Sequence, residues 1–402
     1  MTLNLTPTAN RVHIGFFGRR NVGKSSLLNA VTGQDLAVVS DVLGTTTDPV
    51  QKAMELLPLG PVVIIDTPGL DDVGGLGEKR VKKARQVLNR VDVAVLVVEA
   101  ALGLTPVDEE LLSLIRAKEI PYVVAFNKSD LLSSPPEPKS HEIYVSAIEN
   151  HNIKQLKELL AVLAATEETK LKIVGDVIHP TNLVVLVVPI DKAAPKGRLI
   201  LPQQQTIRDI LEADAAAVVV KEWELRDILA QLAKPPALVI TDSQVLARVS
   251  ADTPLDVPLT TFSILFARYK GFLTGAAMGA ATLDRLPAGA NILMAEGCSH
   301  HRQCDDIGTV KLPRWIRDYA GHDFNFSFLA GGDFPEDLSP YGLIVHCGAC
   351  MLNDREVHYR RKCAEDQGVP LTNYGTIIAH IQGLLRRCLG VFPHIQALVG
   401  ED

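Results

Sequence analysis

The sequence lacks the features of a membrane-spanning, secreted or nucleic-acid-coating protein. Its 402 residues include no apolar run near the roughly 18–20 residues that span a bilayer, and residues 1–10 carry no secretory signal. It also lacks a basic excess, because 40 basic side chains face 47 acidic ones and leave a net charge of −7. We therefore expect a cytoplasmic protein of about two to four domains, with neither a membrane nor a nucleic acid as partner.

Cysteine is absent from the first 297 residues, and all six cysteines follow. A reducing cytoplasm gives little use for disulfides, so cysteines clustered in one part of such a chain indicate metal or redox chemistry. Such chemistry is therefore expected in the C-terminal part alone.

The N-terminal part contains short apolar strands that alternate with helix-length amphipathic segments. This alternation predicts an α/β domain over residues 1–168, with a mostly parallel sheet covered by helices on both faces. The predicted strands are Val12–Phe17, Val62–Asp66, Val93–Val98, Tyr122–Phe126 and Glu142–Val145.

Two smaller α/β domains are predicted to follow. Residues 169–268 contain a short β-α-β-α-β pattern that starts at Leu183. A sheet this small is expected to cover its exposed edge by pairing with a second copy of the chain. Residues 269–402 form the third domain, with strands at Asn291–Ala295, Phe324–Leu329 and Leu343–Val345 and helices at Lys311–Tyr319, Asp354–Asp366 and Tyr374–Cys388.

A complete G-x4-G-K-[ST] phosphate loop, Gly18 to Ser25, lies between the first predicted strand and a predicted helix. Its glycines allow backbone N–H groups to turn toward phosphates, and the helix N-terminus adds a favourable dipole. We expect Lys24 to bridge the β- and γ-phosphates and Ser25 to ligate Mg²⁺. The predicted phosphate-binding residues are Gly18, Gly23, Lys24, Ser25 and Ser26.

Two further motifs follow strands and select guanine as the base. Asp66-Thr67-Pro68-Gly69 offers a carboxylate to Mg²⁺ and a Gly69 N–H to the γ-phosphate. In Asn127-Lys128-Ser129-Asp130, the Asp130 carboxylate can accept hydrogen bonds from N1–H and N2–H₂ of guanine, a pair of donors that adenine does not have. Lys128 is expected over the base plane, and Ser146-Ala147 in the loop that supports guanine O6.

These motifs resemble the TrmE–Era–EngA branch of translation-factor-like GTPases over roughly residues 8–165. The resemblance makes Thr46, in Gly44-Thr45-Thr46-Thr47-Asp48, a second Mg²⁺ ligand, and it makes Asn21 a ligand to K⁺ beside the phosphates. Leu70 stands where Ras-type GTPases carry a water-orienting glutamine. The implied activity is slow, K⁺-stimulated GTP hydrolysis, with Lys24 and Asn21 as the catalytic residues.

The third domain carries Cys298-Ser299-His300 and, 45 residues later, His346-Cys347-Gly348-Ala349-Cys350. Both groups follow predicted strands, so parallel strands would bring three thiolates to one sheet edge. Three cysteines suit zinc or a four-iron cluster, and the domain's own α/β core favours the cluster. The candidates for a fourth ligand are His300, His301, His346, Cys304, Asp305 and Asp306, while Cys363 and Cys388 are interpreted as packing residues.

The pattern Cys-x-His-x45-His-Cys-x-x-Cys behind a GTPase domain resembles the HydF family of FeFe-hydrogenase maturation GTPases over the full chain. The resemblance implies three domains: a P-loop GTPase, a small α/β dimerisation domain that makes a homodimer, and a C-terminal α/β domain. The last would hold a 4Fe-4S cluster through Cys298, Cys347 and Cys350. It also implies a scaffold that receives a di-iron precursor from radical-SAM maturases and hands it to apo FeFe-hydrogenase.

Two other interpretations remain open from the residues. One is an Era-like GTPase of ribosome or tRNA maturation with a structural zinc ion at its C-terminal end. The other is an iron–sulfur storage or sensor protein in which GTP binding is only structural.

Overall fold

A computed structural model describes residues 11–34, 50–67, 86–165, 172–190, 199–297, 306–331, 334–350 and 352–399. The chain divides into two compact units, residues 1–169 and 170–402. In the part described, no helix is both long and apolar enough to cross a membrane. Several predicted site residues lie outside the described residues, namely Thr46, Gly69, Cys298, His300, His301, Cys304 and Asp305.

The first unit is built on one six-stranded sheet. Its strands are β1 (Val12–Phe17), β2 (Val50–Leu56), β3 (Gly60–Asp66), β4 (Val93–Glu99), β5 (Tyr122–Asn127) and β6 (Glu142–Tyr144). Their order is β2-β3-β1-β4-β5-β6, and all pairs are parallel except β2 with β3. The described helices are α1 (Lys24–Thr32), α2 (Pro106–Ala117) and α3 (Ile153–Ala165).

Side chains of this sheet alternate between two hydrophobic cores. Phe16 packs into the core that contains Leu27 of α1 and Leu156 of α3, whereas Phe17 packs into the opposite core with Leu112 of α2. Because successive residues of a strand point to opposite faces, β1 is buried on both sides. The predicted mostly parallel sheet with helices on both faces is confirmed.

Strand β2 was not predicted from the sequence. Residues 51–53 are exposed, and Lys52 and Glu55 interrupt the apolar pattern expected of a buried strand. The strand lies at the edge of the sheet and pairs only with β3, antiparallel. Charged residues are tolerated there because one side of an edge strand faces solvent.

The second unit contains two four-stranded sheets whose pairs are all parallel. The first has the order β10-β9-β7-β8 and the second β12-β11-β13-β14. The strands are β7 (Leu183–Val187), β8 (Ala216–Val220), β9 (Leu238–Thr241), β10 (Leu259–Thr261), β11 (Asn291–Glu296), β12 (Asn325–Ala330), β13 (Leu343–His346) and β14 (Leu371–Asn373).

Ten described helices accompany these two sheets. They are α4 (Leu201–Glu212), α5 (Leu225–Gln231), α6 (Leu246–Asp252), α7 (Phe262–Tyr269), α8 (Leu273–Ala281), α9 (Leu312–Ala320), α10 (Asp354–Asp366), α11 (Tyr374–Ile381), α12 (Leu385–Leu389) and α13 (Pro393–Gln396). A single π-helical turn, Ile307–Lys311, leads into α9.

One hydrophobic core is shared by the two sheets of this unit. It runs from Val185 on β7 through Phe266 on α7 and Leu273 on α8 to Val345 on β13. Because apolar contacts continue from one sheet to the other, residues 170–402 pack as one compact unit.

The predicted helix Tyr374–Cys388 is interrupted. Helix α11 ends at Ile381, Gly383 adopts a left-handed φ of 65°, and α12 begins at Leu385. The N–H of Leu384 donates to Ala379 O at 2.8 Å and that of Gly383 to His380 O at 2.9 Å, the hydrogen bonds that terminate a helix at a left-handed glycine. The glycine therefore ends a helix that apolar periodicity alone would continue.

Candidate functional site

The segment between β1 and α1 has the backbone shape of a phosphate-binding loop. Asn21 and Gly23 adopt left-handed φ values of 64° and 84°, and α1 begins at the next residue, Lys24. A Cβ on Gly18 would lie 2.3 Å from Val97 O, so no larger residue fits there. The N-terminal end of α1 therefore lies at this loop, where its backbone N–H groups can bind an anion.

Lys24 holds its ammonium group over this loop. Its side chain is buried, and Nζ donates to the carbonyl oxygens of Gly18 and Arg19, both at 2.8 Å. Ser25 is half-buried in the first turn of α1, while Ser26 and Asn21 are exposed. The predicted phosphate-binding residues thus lie together on one loop and one helical turn.

Asp66 lies beside this loop, at the carboxyl end of β3 and in register with Phe16. Its Oδ1 is buried and has no hydrogen-bond partner among the described residues. Burial raises the pKa of Asp66, while the positive charge of Lys24 acts in the opposite direction. A buried carboxylate oxygen near phosphate-binding groups is a suitable ligand for Mg²⁺ or its water shell.

Asn127 joins the phosphate loop to the predicted base-binding loops. Its Nδ2 donates to Val22 O at 3.1 Å, and its Oδ1 accepts the N–H of Ala147 at 3.2 Å. One amide side chain thereby fixes the distance between the loop after β1 and the loop after β6. The role of Asn127 is to position both.

The base-binding residues lie at the carboxyl ends of β5 and β6. Asp130 Oδ1 is buried without a hydrogen-bond partner among the described residues, as expected of a group that accepts from guanine. Lys128 has a left-handed φ of 62°, and its Nζ lies 2.7 Å from Glu99 Oε2. Ser146 is fully buried, and its Oγ accepts the N–H of Glu149 at 3.1 Å, which shapes the loop before Ala147.

The loop that carries Cys347 and Cys350 lies at the carboxyl edge of the C-terminal sheet. Strands β11 and β13 are parallel neighbours, with Ala295 in register with His346, and the N–H of Cys347 donates to Ala295 O at 2.8 Å. The N–H of Gly297 in turn donates to the Sγ of Cys347 at 3.1 Å. Gly297 immediately precedes Cys298, so the segment that carries Cys298 begins beside Cys347.

The two described thiols at this edge, Cys347 and Cys350, are side chains of the type that iron–sulfur clusters and zinc take as ligands. Cys347 Sγ accepts N–H groups from Gly297 at 3.1 Å and from Ala349 at 3.4 Å, the kind of hydrogen bond that stabilises a thiolate bound to iron. Burial raises the pKa of Cys347, and these N–H groups oppose the rise. Cys347 and Cys350 are both half-buried, and among the described residues no group of three or more metal-binding side chains occurs.

His346 does not fit the role of fourth ligand in this arrangement. Burial and the charge of Arg360 lower its pKa to about 3, so the ring is neutral. Its Nδ1 donates to Cys347 O at 2.8 Å, and its Nε2 accepts from Arg360 Nη1 at 3.0 Å. Both ring nitrogens are occupied, and neither offers a free lone pair to iron.

Asp306 also has a local structural role. Its Oδ2 accepts the N–H and the hydroxyl of Thr309, both at 2.9 Å, and so caps the π-helical turn. The predicted packing residues both contact hydrophobic cores: Cys388 is fully buried in the core shared by the two sheets, and Cys363, a residue of α10, packs against the core that contains Leu293 of β11 and Ile344 of β13.

Two cations beside the cysteine loop were not found from the sequence. Lys270 Nζ donates to Ala349 O at 2.6 Å and to Leu352 O at 2.8 Å. Arg360 is fully buried and pairs with Glu356 Oε1 at 2.8 Å besides contacting His346. The Glu-x-x-x-Arg spacing on a predicted helix signals the second pair, but no pattern in the sequence points to Lys270.

Comparisons with known proteins match three segments of the chain to family models. Residues 13–128 match the family model described as "50S ribosome-binding GTPase", residues 173–271 match "Hydrogen maturase F dimerization domain", and residues 274–391 match "Hydrogen maturase F tetramerization domain".

Individual relatives match part of the chain. The tRNA modification GTPase MnmE of Synechococcus sp. (strain JA-2-3B'a(2-13)) is 37% identical over 161 residues, which are 38% of this chain and 34% of the relative. GTPase Der of Wolinella succinogenes is 36% identical over 127 residues, 31% of this chain and 27% of the relative. A crystal structure of a probable GTP-binding protein engB matches at 27% identity and a TM-score of 0.33, covering 39% of this chain and 100% of that one. The chain thus spans about a third of the length of the curated relatives it matches.

The phosphate loop, the base-binding loops and the matching family model define the N-terminal unit as a P-loop GTPase domain. Its resemblance to the TrmE–Era–EngA branch is confirmed. With the dimerization and tetramerization domains that follow, the chain belongs to the hydrogen maturase F family, HydF.

Proposed function

We propose that this chain is a GTP-hydrolysing scaffold that carries a di-iron precursor to apo FeFe-hydrogenase and holds a 4Fe-4S cluster through Cys298, Cys347 and Cys350. The observation that carries the proposal is the hydrogen bond from Gly297 N–H to Cys347 Sγ, 3.1 Å long. It supports convergence of the two cysteine loops in a chain that also has a guanine-nucleotide site.

On the nucleotide side, Lys24 moves from its loop carbonyls to the β- and γ-phosphates of GTP, and the buried oxygen of Asp66 faces the Mg²⁺ shell. Ser25 and Thr46 complete the Mg²⁺ ligands, and the Gly69 N–H meets the γ-phosphate. Asn21, which is exposed on the loop, holds K⁺ beside the phosphates. A cation held there would help to neutralise the charge that develops on the phosphates, at a site where Leu70 cannot orient the attacking water.

On the cysteine side, the N–H groups of Gly297 and Ala349 stabilise the Cys347 thiolate, and His346 holds the loop through Cys347 O. With His346 occupied, His300 and Asp305 are the preferred fourth ligands. When bound, the cluster supplies an iron site with an exchangeable ligand, to which a precursor can attach.

The switch segments around Thr46 and Gly69 link the two activities through partner binding. They are ordered by the γ-phosphate in GTPases, so hydrolysis changes the surface offered to the radical-SAM maturases rather than the cysteine site. Binding of a maturase to the GTP-bound, GDP-bound and nucleotide-free forms should differ; equal affinities would remove this link.

The deciding experiment is the iron and sulfide content of anaerobically reconstituted protein. We expect about four iron and four sulfide per chain with a broad visible absorption, and loss of most of both in Cys298→Ser. Cys363→Ser is the matched control, because Cys363 is a residue of α10 that packs against a hydrophobic core, and this variant should keep the full content. A colourless protein that binds one zinc ion would overturn the proposal.

A further inference from the structure

We infer that Lys270 is a positioning residue for the cysteine loop, and that its ammonium group stabilises the reduced state of the cluster this loop holds. The second half of the inference rests on the proposed function, because it takes Cys347 and Cys350 as iron ligands. The first half concerns the protein without metal and stands by itself.

Lys270 joins two parts of the second unit that are distant in sequence. It follows α7, within the segment that matches the dimerization domain, whereas the cysteine loop lies in the segment that matches the tetramerization domain. Its Nζ reaches 79 residues along the chain to Ala349 O at 2.6 Å and 82 residues to Leu352 O at 2.8 Å. A single side chain thus ties both ends of the turn after Cys347 to the end of α7.

The backbone at this turn needs such support. Ala349 has a left-handed φ of 52°, unfavourable for a residue with a Cβ, and only 1% of it is exposed. The same conformation aims its N–H at Cys347 Sγ and its carbonyl at Lys270 and the N–H of Leu352. Without the ammonium group, Ala349 O and Leu352 O would lose a charged hydrogen-bond donor. The turn would then relax, and the N–H of Ala349 would no longer be directed at Cys347 Sγ.

The packing around the turn makes this geometry specific. A Cβ on Gly297 would lie 2.6 Å from Leu352 Cγ, so Gly297, the residue before Cys298, packs closely against the residue whose carbonyl Lys270 holds. Lys270 therefore supports the Cys347–Cys350 turn directly and the start of the Cys298 segment through Leu352. A surface lysine that merely improves solubility would do neither.

The charge of Lys270 has a second consequence. A cluster bound by thiolates carries net negative charge, which increases by one when the cluster is reduced. Lys270 is half-buried, and an ammonium in such a place is screened less than on an open surface. The charge of Lys270 should therefore favour the reduced state of the cluster. If Lys270 acted only through packing, its replacement by a well-packed neutral side chain would leave the reduction potential unchanged.

The experiment compares full-length Lys270→Met, which keeps the length of the side chain without its charge, with Lys270→Arg, which keeps the charge. Lys221→Met is the matched control, since Lys221 is an exposed lysine of the same unit paired with Glu224 at 3.2 Å. Hydrogen–deuterium exchange of the metal-free proteins is measured over residues 347–352. The midpoint potential and the electron paramagnetic resonance spectrum of the cluster are measured after reconstitution.

In Lys270→Met we expect amide exchange over residues 347–352 to accelerate about tenfold. At a fixed potential, the ratio of reduced to oxidised cluster should fall about tenfold, which is ~59 mV for a one-electron couple. Lys270→Arg and Lys221→Met should keep the wild-type potential. Unchanged exchange in Lys270→Met would overturn the positioning role, and equal potentials in Lys270→Met and Lys270→Arg would overturn the role of charge. If wild-type protein takes up no iron, the proposed function fails while the exchange measurement still decides the positioning role.

Discussion

The side chain of Asn127 hydrogen-bonds the phosphate loop at Val22 O and the base-binding loop at the N–H of Ala147, at 3.1 and 3.2 Å. The amide thus couples the two halves of the nucleotide site through one rigid group. Asp130, three residues later, has a buried oxygen with no partner in the described part of the chain. This arrangement supports the prediction that Asp130 accepts hydrogen bonds from a base with two donors on one edge.

Asp130→Asn should change the base preference of the GTPase domain. Guanine loses a charge-assisted pair of hydrogen bonds, so GTP affinity should fall about 100-fold, whereas xanthine, with an oxygen at C2, gains a donor from the new amide. Titration with fluorescent GDP and XDP analogues measures both affinities. XDP serves as the internal control for folding, and a variant that binds GDP as tightly as the wild type would exclude Asp130 from base recognition.

K⁺ should stimulate GTP hydrolysis, and Asn21 should be required for the effect. Its left-handed position on the phosphate loop places an exposed amide oxygen near the bound phosphates, where it can help to hold a monovalent cation. We expect on the order of tenfold faster turnover in K⁺ than in Na⁺ at equal ionic strength, and loss of that difference in Asn21→Ala. Phosphate release is the measurement, and identical rates in both salts would remove the role assigned to Asn21.

Asp66→Asn should stabilise the metal-free protein while abolishing Mg²⁺-dependent hydrolysis. Burial raises the pKa of Asp66, so the folded state binds its proton more tightly than the unfolded chain does. The free energy of unfolding therefore decreases as the pH rises from below the unfolded pKa through the raised folded pKa, and the neutral amide avoids this loss.

The expected gain for Asp66→Asn is about 0.5–1 kcal/mol near neutral pH, and it should vanish at acid pH where the wild-type carboxyl is protonated. Urea unfolding in the presence of a chelator measures it. Glu110→Gln, at an exposed position of α2, is the matched control and should change neither stability nor hydrolysis. A destabilised Asp66→Asn would indicate that the buried carboxylate is stabilised by a partner in the folded protein.

Much of the nucleotide site could be predicted because its residues follow buried strands directly. In a parallel sheet, strand ends share one edge, so the order of motifs along the chain already places Lys24, Asp66 and Asp130 together. The same rule placed Cys347 at the end of β13, since β11 and β13 are parallel neighbours.

What could not be predicted depends on contacts between residues far apart in sequence. The contact of Lys270 with Ala349 spans 79 residues, and no local periodicity encodes it. The engagement of both ring nitrogens of His346 likewise depends on where α10 packs, and it changes a candidate ligand into a positioning residue. Edge strand β2 was not predicted because most of its solvent-facing residues are polar or charged, as is typical of a loop.

The homodimer should form through the exposed edge of the middle sheet. Among the described residues, strand β8 pairs with β7 alone and carries the apolar residue Val219, which is 45% exposed, so a second copy could extend the sheet at this edge. Val219→Lys should shift the protein toward a smaller assembly in light scattering at micromolar concentration, because an edge lysine opposes strand pairing. Leu255→Lys, which alters an 88% exposed residue outside the strands of that sheet, is the control, and an unchanged mass for Val219→Lys would place the interface elsewhere.

Arg360→Met should strongly destabilise the second unit, because it leaves Glu356 and His346 buried without their partner. Arg360 donates to Glu356 Oε1 at 2.8 Å and to Gly331 O at 2.8 Å, and 1% of it is exposed. Removing one partner of a buried ion pair lowers the free energy of unfolding by about 3–5 kcal/mol, because the other charge stays buried without compensation. Replacing both partners costs less. Unfolding of Arg360→Met is therefore compared with that of the double variant Arg360→Met with Glu356→Leu, which should recover part of the loss.

The exposed pair Arg314–Asp318, 3.6 Å apart on α9, supplies the control for that measurement. Arg314→Met removes the same charge from a solvent-exposed position, and its effect should stay within about 0.5 kcal/mol. If Arg360→Met cost no more than Arg314→Met, the buried network would not hold His346 in place. In that case the Nε2 of His346 would be free to bind iron, and the exclusion of this histidine as fourth ligand would have to be withdrawn.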